Sequence, residues 1–300
     1  MAEQSKVWLN GKLIPWQEAT VPILSHGFSR GSAIFEVLGT YVGPQGTMAF
    51  RLDQHLERLM KSAELLEMQP AYSTEALLEA IKTTVRENRL GRGLVKILAY
   101  WGEEAVIRLV LDAPLDVAIF TIPESPELGL DNSTPVSACI SKWRKIHPET
   151  VPVAAKSCSN YLNAYLARKD ALNRGYHIGL MLGTDGFLAE GSIESVFLVK
   201  NGTLITPPLG RVLSSITRMS ILQAAPSVGI PTLERAVQPQ ELFTADEIFV
   251  SHTGIRILPV ARFEDRTLNA PGPVTAKLMG LMKRIFNFSE DRFSDWFFPM

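Results

Sequence analysis

The amino-acid sequence predicts a mixed α+β (α/β) fold in two domains, and three observations support this prediction. The chain has 300 residues, about the length of two ordinary domains. Apolar runs of strand length and segments of helical periodicity both occur in each half. A break at 124–133, which contains Pro126, Gly129 and several small polar residues, separates the halves. We therefore expect a small N-terminal domain over 1–123, an interdomain linker over 124–133 and a large domain over 134–300.

The first domain is predicted to begin with a β-hairpin. Two apolar runs within 7–14 flank Asn10-Gly11, a pair that tolerates the positive φ angles of a type I′ turn. Apolar residues then recur at helical spacing from Leu52 onward, which predicts an amphipathic helix over 52–68.

A second helix and three strands are predicted to complete this domain. Ser73 is a residue type that caps helices, and the helix that it begins is expected to run towards Asn88. Apolar segments at 94–100, 106–111 and 116–122 are then expected to form strands.

The second part of the chain shows the same mixture of periodicities, and glycine and proline mark several boundaries. The predicted elements are a helix at 160–174 ended by Gly175, strands at 178–182 and 195–206 (the latter turning at Asn201-Gly202), a helix at 216–227 ending before Gly229, a strand at 247–251 and a helix that begins at Pro273.

Composition limits the classes of function. Hydrophobic residues make up 46% of the chain and the formal net charge is -1, which fits a folded protein with a large core. This charge balance does not indicate nucleic acid or an anionic membrane as a partner. Residues 1–6 have no apolar signal region, and we expect no membrane span. Cys139 and Cys158 are too few for a disulfide framework or a metal cluster, so we expect a cytoplasmic protein with reduced thiols and no metal.

One lysine and one glutamate are candidates for carbonyl chemistry. Lys156 follows the apolar run 151–155, and a lysine in an apolar setting loses its proton readily and can attack a carbonyl carbon. A lone lysine is otherwise an ordinary surface residue. Glu190 precedes Gly191 and is either a turn carboxylate or the partner of a protonated ring nitrogen.

A third candidate is the hydroxyl-rich start of the predicted helix at 216–227. Ser214, Ser215 and Thr217 stand at this start, beside Arg218. Serine at a helix start is explained by capping alone. The same start also offers unpaired N–H groups and the positive end of the helix dipole, which together bind phosphate.

The order and spacing of these segments resemble the class IV aminotransferases, and the branched-chain members are the most similar. The resemblance covers nearly the whole chain. It implies the fold type IV of pyridoxal 5'-phosphate (PLP) enzymes, in which a small N-terminal α/β domain is joined to a larger, cofactor-binding C-terminal pseudo-barrel domain. It also implies PLP as cofactor and a homodimer or higher homo-oligomer.

Residue by residue, the resemblance assigns Lys156 as the catalytic residue that also carries the cofactor. Tyr161, in the Asn-Tyr pair after the lysine, would bond the cofactor phenolate oxygen. Glu190 would face the ring nitrogen and Leu213 would pack on the ring.

The resemblance also implies residues for the phosphate group and for the substrate. The residues for the phosphate would be Arg58, Ile216, Thr217 and Thr253, and the N–H after Thr253, that of Gly254, would meet the substrate carboxylate. His252 stands where the family has a small residue, and Ser215 stands where it has glycine.

The segment 25–41 departs most from the branched-chain pattern, so we expect an altered substrate pocket. Phe35, Glu36 and Tyr41 agree with the pattern, while Arg30, Val37 and Gly39 replace its tyrosine, glycine and arginine. Lys96 stands about where those enzymes have a carboxylate-binding arginine. Arg30, Phe35, Lys96 and Gly254 are therefore the candidate substrate residues. For Arg30 the alternative is a pair with a protein carboxylate such as Glu36.

These observations predict a transaminase that moves an amino group between an amino acid, of the branched-chain type, and a 2-oxo acid. Three alternatives stay open: a D-amino-acid or amine transaminase on the same fold, an aminodeoxychorismate lyase, and a relative that binds without catalysis.

Overall fold

The computed structural model describes residues 5–300. In chain order, the strands of this part of the chain are β1 (Lys6–Leu9), β2 (Lys12–Pro15), β3 (Ala33–Gly43), β4 (Gly46–Phe50), β5 (Gly93–Tyr100), β6 (Asp116–Pro123), β7 (Val136–Ile140), β8 (Ile178–Leu180), β9 (Ser195–Lys200), β10 (Thr203–Thr206), β11 (Thr232–Glu234), β12 (Glu247–Ser251), β13 (Leu258–Phe263), β14 (Arg266–Thr267) and β15 (Phe297–Pro299).

The α-helices are α1 (His26–Arg30), α2 (Leu52–Leu65), α3 (Thr74–Glu87), α4 (Tyr161–Asn173), α5 (Ile216–Ala224), α6 (Pro239–Leu242) and α7 (Pro273–Phe286). Short 3₁₀ helices lie at Trp16–Glu18, Pro126–Leu128, Ala225–Val228 and Asp291–Trp296. This content confirms the predicted mixed α+β class.

The chain divides into two compact units, and neither is continuous in sequence. The first unit contains the described residues up to Pro126 together with Ala155–Ser159 and Glu290–Met300. The second contains Glu127–Ala154 and Asn160–Ser289. Lys156 therefore belongs to the first unit.

The first unit is built on a seven-stranded antiparallel sheet in the order β15-β4-β3-β5-β6-β1-β2. Residues of β5 alternate between buried and partly buried, as expected of a strand with one face on the core. Helices α2 and α3 supply the other side of that core. Its most buried residues include Leu38, Leu52, Ile81, Ile97 and Ile119, each with no accessible surface.

The second unit is built on a mixed sheet in the order β11-β10-β9-β12-β13-β7-β8, with β14 paired to β13. Strands β7 and β8 run parallel to each other, and β7 also runs parallel to β13. Buried aliphatic residues and Phe263 form the core of this unit. Glu247 at the start of β12 accepts hydrogen bonds from the N–H groups of Val274 and Thr275, which caps helix α7.

Several elements predicted from local signals are confirmed. Asn10 and Gly11 have φ angles of 47° and 90°, as a type I′ hairpin turn requires. Ser73 accepts a hydrogen bond from the N–H of Ala76 at the start of α3. Strand β12 has the predicted bounds, and α7 begins at Pro273.

The strand predicted at 106–111 is wrong. This segment has no strand structure, and Val106, Ile107, Leu109 and Val110 are each more than 70% exposed. His26 contacts the carbonyl oxygen of Leu109, and Arg30 donates to the carbonyl oxygen of Val106. These two carbonyl groups therefore bond to side chains and not to a neighbouring strand. The run resembles a strand in composition, but no neighbouring strand pairs with it within the described residues.

Among residues 5–300, no helix has the length and apolarity needed to cross a bilayer.

Candidate active site

Lys156 lies on the free edge of the longest strand in the first unit. Strand β4 pairs with only the far part of β3, at 40–43, which leaves 33–35 open on that edge. Residues 156–158 take this place: the N–H of Phe35 donates to the carbonyl of Lys156 at 3.0 Å, and the N–H of Cys158 donates to the carbonyl of Ala33 at 2.8 Å. Sheet bonds therefore fix the main chain of the lysine.

The side chain of Lys156 extends over an aromatic ring. Its Nζ lies 4.6 Å from the ring centroid of Phe35, and the Nζ of Lys96 lies 5.1 Å from the same centroid. Phe35 is 7% exposed. The ring face attracts both ammonium groups, so the structure brings together Lys156 and two of the predicted substrate residues.

A buried carboxylate cluster, formed by Glu36, His55 and Arg58, lies beside this lysine. Arg58 on α2 donates from Nε and Nη2 to the two carboxylate oxygens of Glu36 on β3, each at 2.7 Å. His55 Nδ1 lies 2.7 Å from Glu36 Oε2, and an ionised carboxylate can only accept, so Nδ1 carries the proton. Both oxygens of Glu36 are thus bonded in a site without solvent access.

The cluster has strongly perturbed protonation. Burial alone would raise the pKa of Glu36, but the charge of Arg58 and the bonds from Arg58 and His55 lower that pKa to about 2. Burial lowers the pKa of His55, and the positive charges of Arg58 and Lys156 lower it further, against the opposing effect of Glu36. The cluster therefore holds one negative charge, one positive charge and a neutral imidazole.

Sequence reasoning identified Arg58 but not the roles of Glu36 and His55. From the sequence, Glu36 matched a family segment and was an alternative partner for Arg30, but its pairing with Arg58 and His55 was not predicted. The spacing of His55 and Arg58, three residues apart on one helix, places them on the same face. That spacing was the only local signal of a joint site.

Glu190 lies in the second unit in a buried ion pair. Its Oε1 is 2.5 Å from the Nζ of Lys145, and the side chains are 11% and 10% exposed. The main chain is held as well, because Met181 donates its N–H to the carbonyl of Glu190 at 2.8 Å. The carboxylate is therefore not on an exposed turn. Lys145 was not identified from the sequence, where it is 45 residues away.

The start of α5 has the predicted helix-cap chemistry. Ser215 is the N-cap, and its hydroxyl accepts from the N–H of Arg218 at 3.3 Å. Ile216 and Thr217 form the first turn and are each 5% exposed. Arg218 turns away from solvent, donating to the carbonyl of Pro207 at 2.7 Å and pairing with Glu234. The turn thus presents main-chain N–H groups and one hydroxyl.

The turn after β12 contains Thr253 and Gly254. His252 Nδ1 accepts from the N–H of Gly254 at 3.1 Å, and the carbonyl of Gly254 accepts from the N–H of Asp131 at 3.0 Å. The N–H that the resemblance reserves for a substrate is thus bonded to a side chain of the same turn. Ser251, which ends the strand, is 1% exposed.

The remaining candidates occupy defined positions. Tyr161 is the first residue of α4, and Leu213 is partly buried before α5. Arg30 donates to the carbonyls of Ala105 and Val106 at 2.7 and 3.0 Å. The alternative partner considered for Arg30, Glu36, is bonded to Arg58 and His55 instead. Arg30 therefore fastens the exposed segment that was wrongly predicted to be a strand.

Residues 33–263 match the family model of amino-transferase class IV. The chain belongs to this family. The branched-chain-amino-acid aminotransferase of Salmonella typhimurium is 31% identical to this aminotransferase over 304 residues, covering 98% of this chain and 97% of the relative. That of Escherichia coli is 32% identical over 277 residues, covering 91% and 90%.

Solved structures agree with this assignment. The branched-chain aminotransferase of the archaeon Thermoproteus uzoniensis, with norvaline, has a TM-score of 0.93 and 35% identity, covering 98% of this chain and 99% of that one. A T.th. branched-chain amino acid aminotransferase with pyridoxamine 5'-phosphate has a TM-score of 0.92 and 28% identity, covering 99% of each chain. This class IV aminotransferase therefore has the fold type IV architecture.

Proposed function

We propose that this class IV aminotransferase uses PLP to move an amino group between an amino acid of the branched-chain type and a 2-oxo acid. The observation that supports this best is the position of Lys156, fixed on the edge of β3 beside the buried carboxylate cluster. Full-length similarity to enzymes named branched-chain-amino-acid aminotransferase supports the substrate class.

Each unit, taken by itself, contains donors that fit chemical groups of PLP. A phosphate needs cationic and N–H donors, which Arg58 and the first turn of α5 supply. The Ser251 hydroxyl is a buried polar atom with no partner among the described residues, and it lies two residues before Thr253. A protonated ring nitrogen needs a carboxylate, and the buried Glu190 supplies one. An aldehyde needs an amine, which is Lys156.

When bound, PLP supplies an aldehyde that takes up the amino group and a ring that stores electron density. Lys156 would hold the cofactor through its amine and then move a proton between the substrate Cα and the cofactor C4′. Glu190 would keep a proton on the ring nitrogen. Tyr161 would donate to the phenolate oxygen, and Leu213 would pack on the ring.

The phosphate and the substrate are assigned to separate groups of residues. Arg58, Ile216, Thr217 and Thr253 would hold the phosphate in place. Phe35, Lys96 and Gly254 would contact the substrate, and the Gly254 N–H would exchange its bond to His252 for one to the substrate carboxylate. Arg30 would affect substrate binding indirectly, by holding the segment at Ala105 and Val106 in place. Each of these roles is part of the proposal.

We also propose that the protein works as a homodimer or higher homo-oligomer in the cytoplasm. Large apolar side chains in the first unit are exposed on two segments that bond to each other: Ile23 (76%), Phe28 (71%), Val106 (73%), Ile107 (89%), Leu109 (72%) and Val110 (78%). Ala105 donates its N–H to the carbonyl of Leu24 at 3.2 Å, so the segments form one surface. A contiguous apolar surface of this kind supports association. Both cysteines are free thiols, which supports a reducing compartment.

Borohydride reduction followed by peptide mapping tests the central assignment. The reduced protein should carry the cofactor on Lys156, and Lys156→Ala should abolish both the adduct and turnover. A label on another lysine would overturn the proposal.

A half-reaction screen with L- and D-amino acids, followed by the absorption spectrum, tests the substrate class. Conversion with L-branched-chain amino acids is expected. Conversion with D-amino acids or amines alone, or release of pyruvate from aminodeoxychorismate, would favour one of the alternatives. A mass equal to the monomer in light scattering would contradict the oligomer.

A further inference from the structure

Ser62 makes two hydrogen bonds that connect the main chains of Lys156 and Arg58. It lies on α2, four residues after Arg58, and is 1% exposed. Its hydroxyl donates to the carbonyl of Arg58 at 2.8 Å and accepts from the N–H of Lys156 at 3.0 Å. The second bond joins residues 94 positions apart in the sequence.

The direction of the Lys156 N–H explains why such an acceptor is needed. A buried main-chain N–H that has no acceptor costs stability. The carbonyl of Lys156 and the N–H of Cys158 point to β3 and bond there. The N–H of Lys156 bonds instead to the Ser62 hydroxyl on α2, which serves as its acceptor.

The first bond of Ser62 prepares the second. A hydroxyl has one hydrogen and two lone pairs. When the Ser62 hydroxyl donates its hydrogen to the Arg58 carbonyl, its lone pairs stay available to accept the N–H of Lys156. Hydrogen bonds in such a chain also strengthen one another. A serine bonded to the carbonyl one turn earlier is common in helices, as Thr84 shows with Ala80 at 2.7 Å. The additional bond to the lysine is what sets Ser62 apart.

We infer that Ser62 is a positioning residue for Lys156, fixing the main chain of the lysine to the helix that carries Arg58. This inference rests on the proposed function, in which Lys156 bonds the cofactor and Arg58 holds its phosphate. The lysine side chain has several rotatable bonds. Its amine can therefore be held in one position only if the main chain of Lys156 is itself fixed. Small displacements of a reacting group reduce rates strongly.

The test compares PLP with pyridoxamine 5'-phosphate in the apo-protein, for wild type and Ser62→Ala. Pyridoxamine 5'-phosphate has the phosphate and the ring but no aldehyde, so its affinity reports every contact except the bond to Lys156. In Ser62→Ala we expect PLP affinity, and the rate of the borohydride-trapped adduct, to fall about five- to tenfold, since one neutral hydrogen bond is lost. Affinity for pyridoxamine 5'-phosphate should stay within about twofold of wild type.

Thr84→Val is the matched control, because it removes a buried hydroxyl with the same bond to the preceding turn in the same unit. It should lower the melting temperature about as much as Ser62→Ala and leave both affinities unchanged. A control that also weakened PLP would overturn the inference, since destabilisation would then explain the result.

Two further outcomes separate the inference from the proposed function. If wild type gives an adduct on Lys156 and Ser62→Ala gives it equally fast, or loses both ligands in parallel, the inference is wrong while the proposed function stands. If wild type forms no adduct on Lys156, the proposed function fails and the inference fails with it.

Discussion

Glu36 in the first unit and Glu190 in the second are both buried carboxylates with a cationic partner, but they differ in how fully they are bonded. Glu36 receives two bonds from Arg58 and one from His55, so both oxygens are occupied. Glu190 meets the ammonium of Lys145 through one oxygen. A carboxylate has about four acceptor sites, so this pair leaves capacity on Glu190.

The difference indicates how a buried charge is used. A carboxylate bonded on both oxygens stabilises the groups that surround it and is poorly placed to react. A carboxylate with remaining acceptor capacity is suited to a ligand that brings its own N–H, as a protonated ring nitrogen does. Glu36 is thus expected to control folding, and Glu190 is expected to control chemistry.

The largest expected effect is on stability, from Glu36→Gln. This change removes the buried carboxylate charge that faces the partly buried Arg58, and breaking a buried pair costs about 3–5 kcal/mol. Urea denaturation should show that loss in the free energy of unfolding. Glu87→Gln is the control, because its pair with Lys6 is solvent-exposed and its loss should leave stability near that of wild type. Similar losses in both variants would contradict the comparison.

The second effect is on catalysis, from Glu190→Gln. Removing one preorganised charge typically raises the barrier by about 2–4 kcal/mol. We therefore expect kcat to fall roughly 30- to 1000-fold, with a smaller loss of stability than in Glu36→Gln. Steady-state kinetics on the enzyme with PLP bound measure this change in kcat. Glu194→Gln removes a carboxylate that is 2% exposed and paired with Arg168, and it should keep most of kcat. An unchanged kcat in Glu190→Gln would assign that residue to structure.

The third effect is a pH dependence of stability. The pKa of Glu36 is lowered from 4.5 to about 2 on folding, so the unfolded chain binds the proton first as the solution is acidified. Its stabilisation is full above pH 4.5 and is lost as the pH falls towards 2. His55, whose pKa is also lowered, loses stabilisation in the same direction as the pH falls below 6.5. Urea midpoints measured across this range should therefore fall with acidification.

Glu36→Gln sharpens the pH prediction because it removes one of the two groups. Its urea midpoint should start lower and change less between pH 4.5 and 2 than that of wild type. Parallel curves for the two proteins would show that other carboxylates carry the acid sensitivity.

Much of the fold was predictable because its signals are local. Asn10-Gly11 specifies a hairpin through the φ angles it tolerates, and Pro273 marks a helix start because its missing N–H is not needed there. The segment 106–111 shows where such reasoning fails. Its apolar composition suits a strand, but a strand also requires a partner with free main-chain groups.

The candidate site was predictable where a residue's own setting indicated chemistry. Lys156 after an apolar run, Glu190 beside glycine and the hydroxyls before α5 became candidates in this way. Their partners did not, because Lys145 and Ser62 are distant in sequence from Glu190 and Lys156 and have no distinguishing local pattern.

The sequence by itself determined the class of fold and the positions of several elements, because backbone preference and hydrophobic periodicity act over a few neighbouring residues. Only the tertiary structure decided that Glu36 neutralises Arg58, that Lys145 faces Glu190 and that Ser62 holds Lys156. Those pairings depend on which strand and helix faces meet across 22 to 94 residues of chain. Hydrogen bonds and ion pairs act over only a few ångströms, so they form only after packing has brought those faces together.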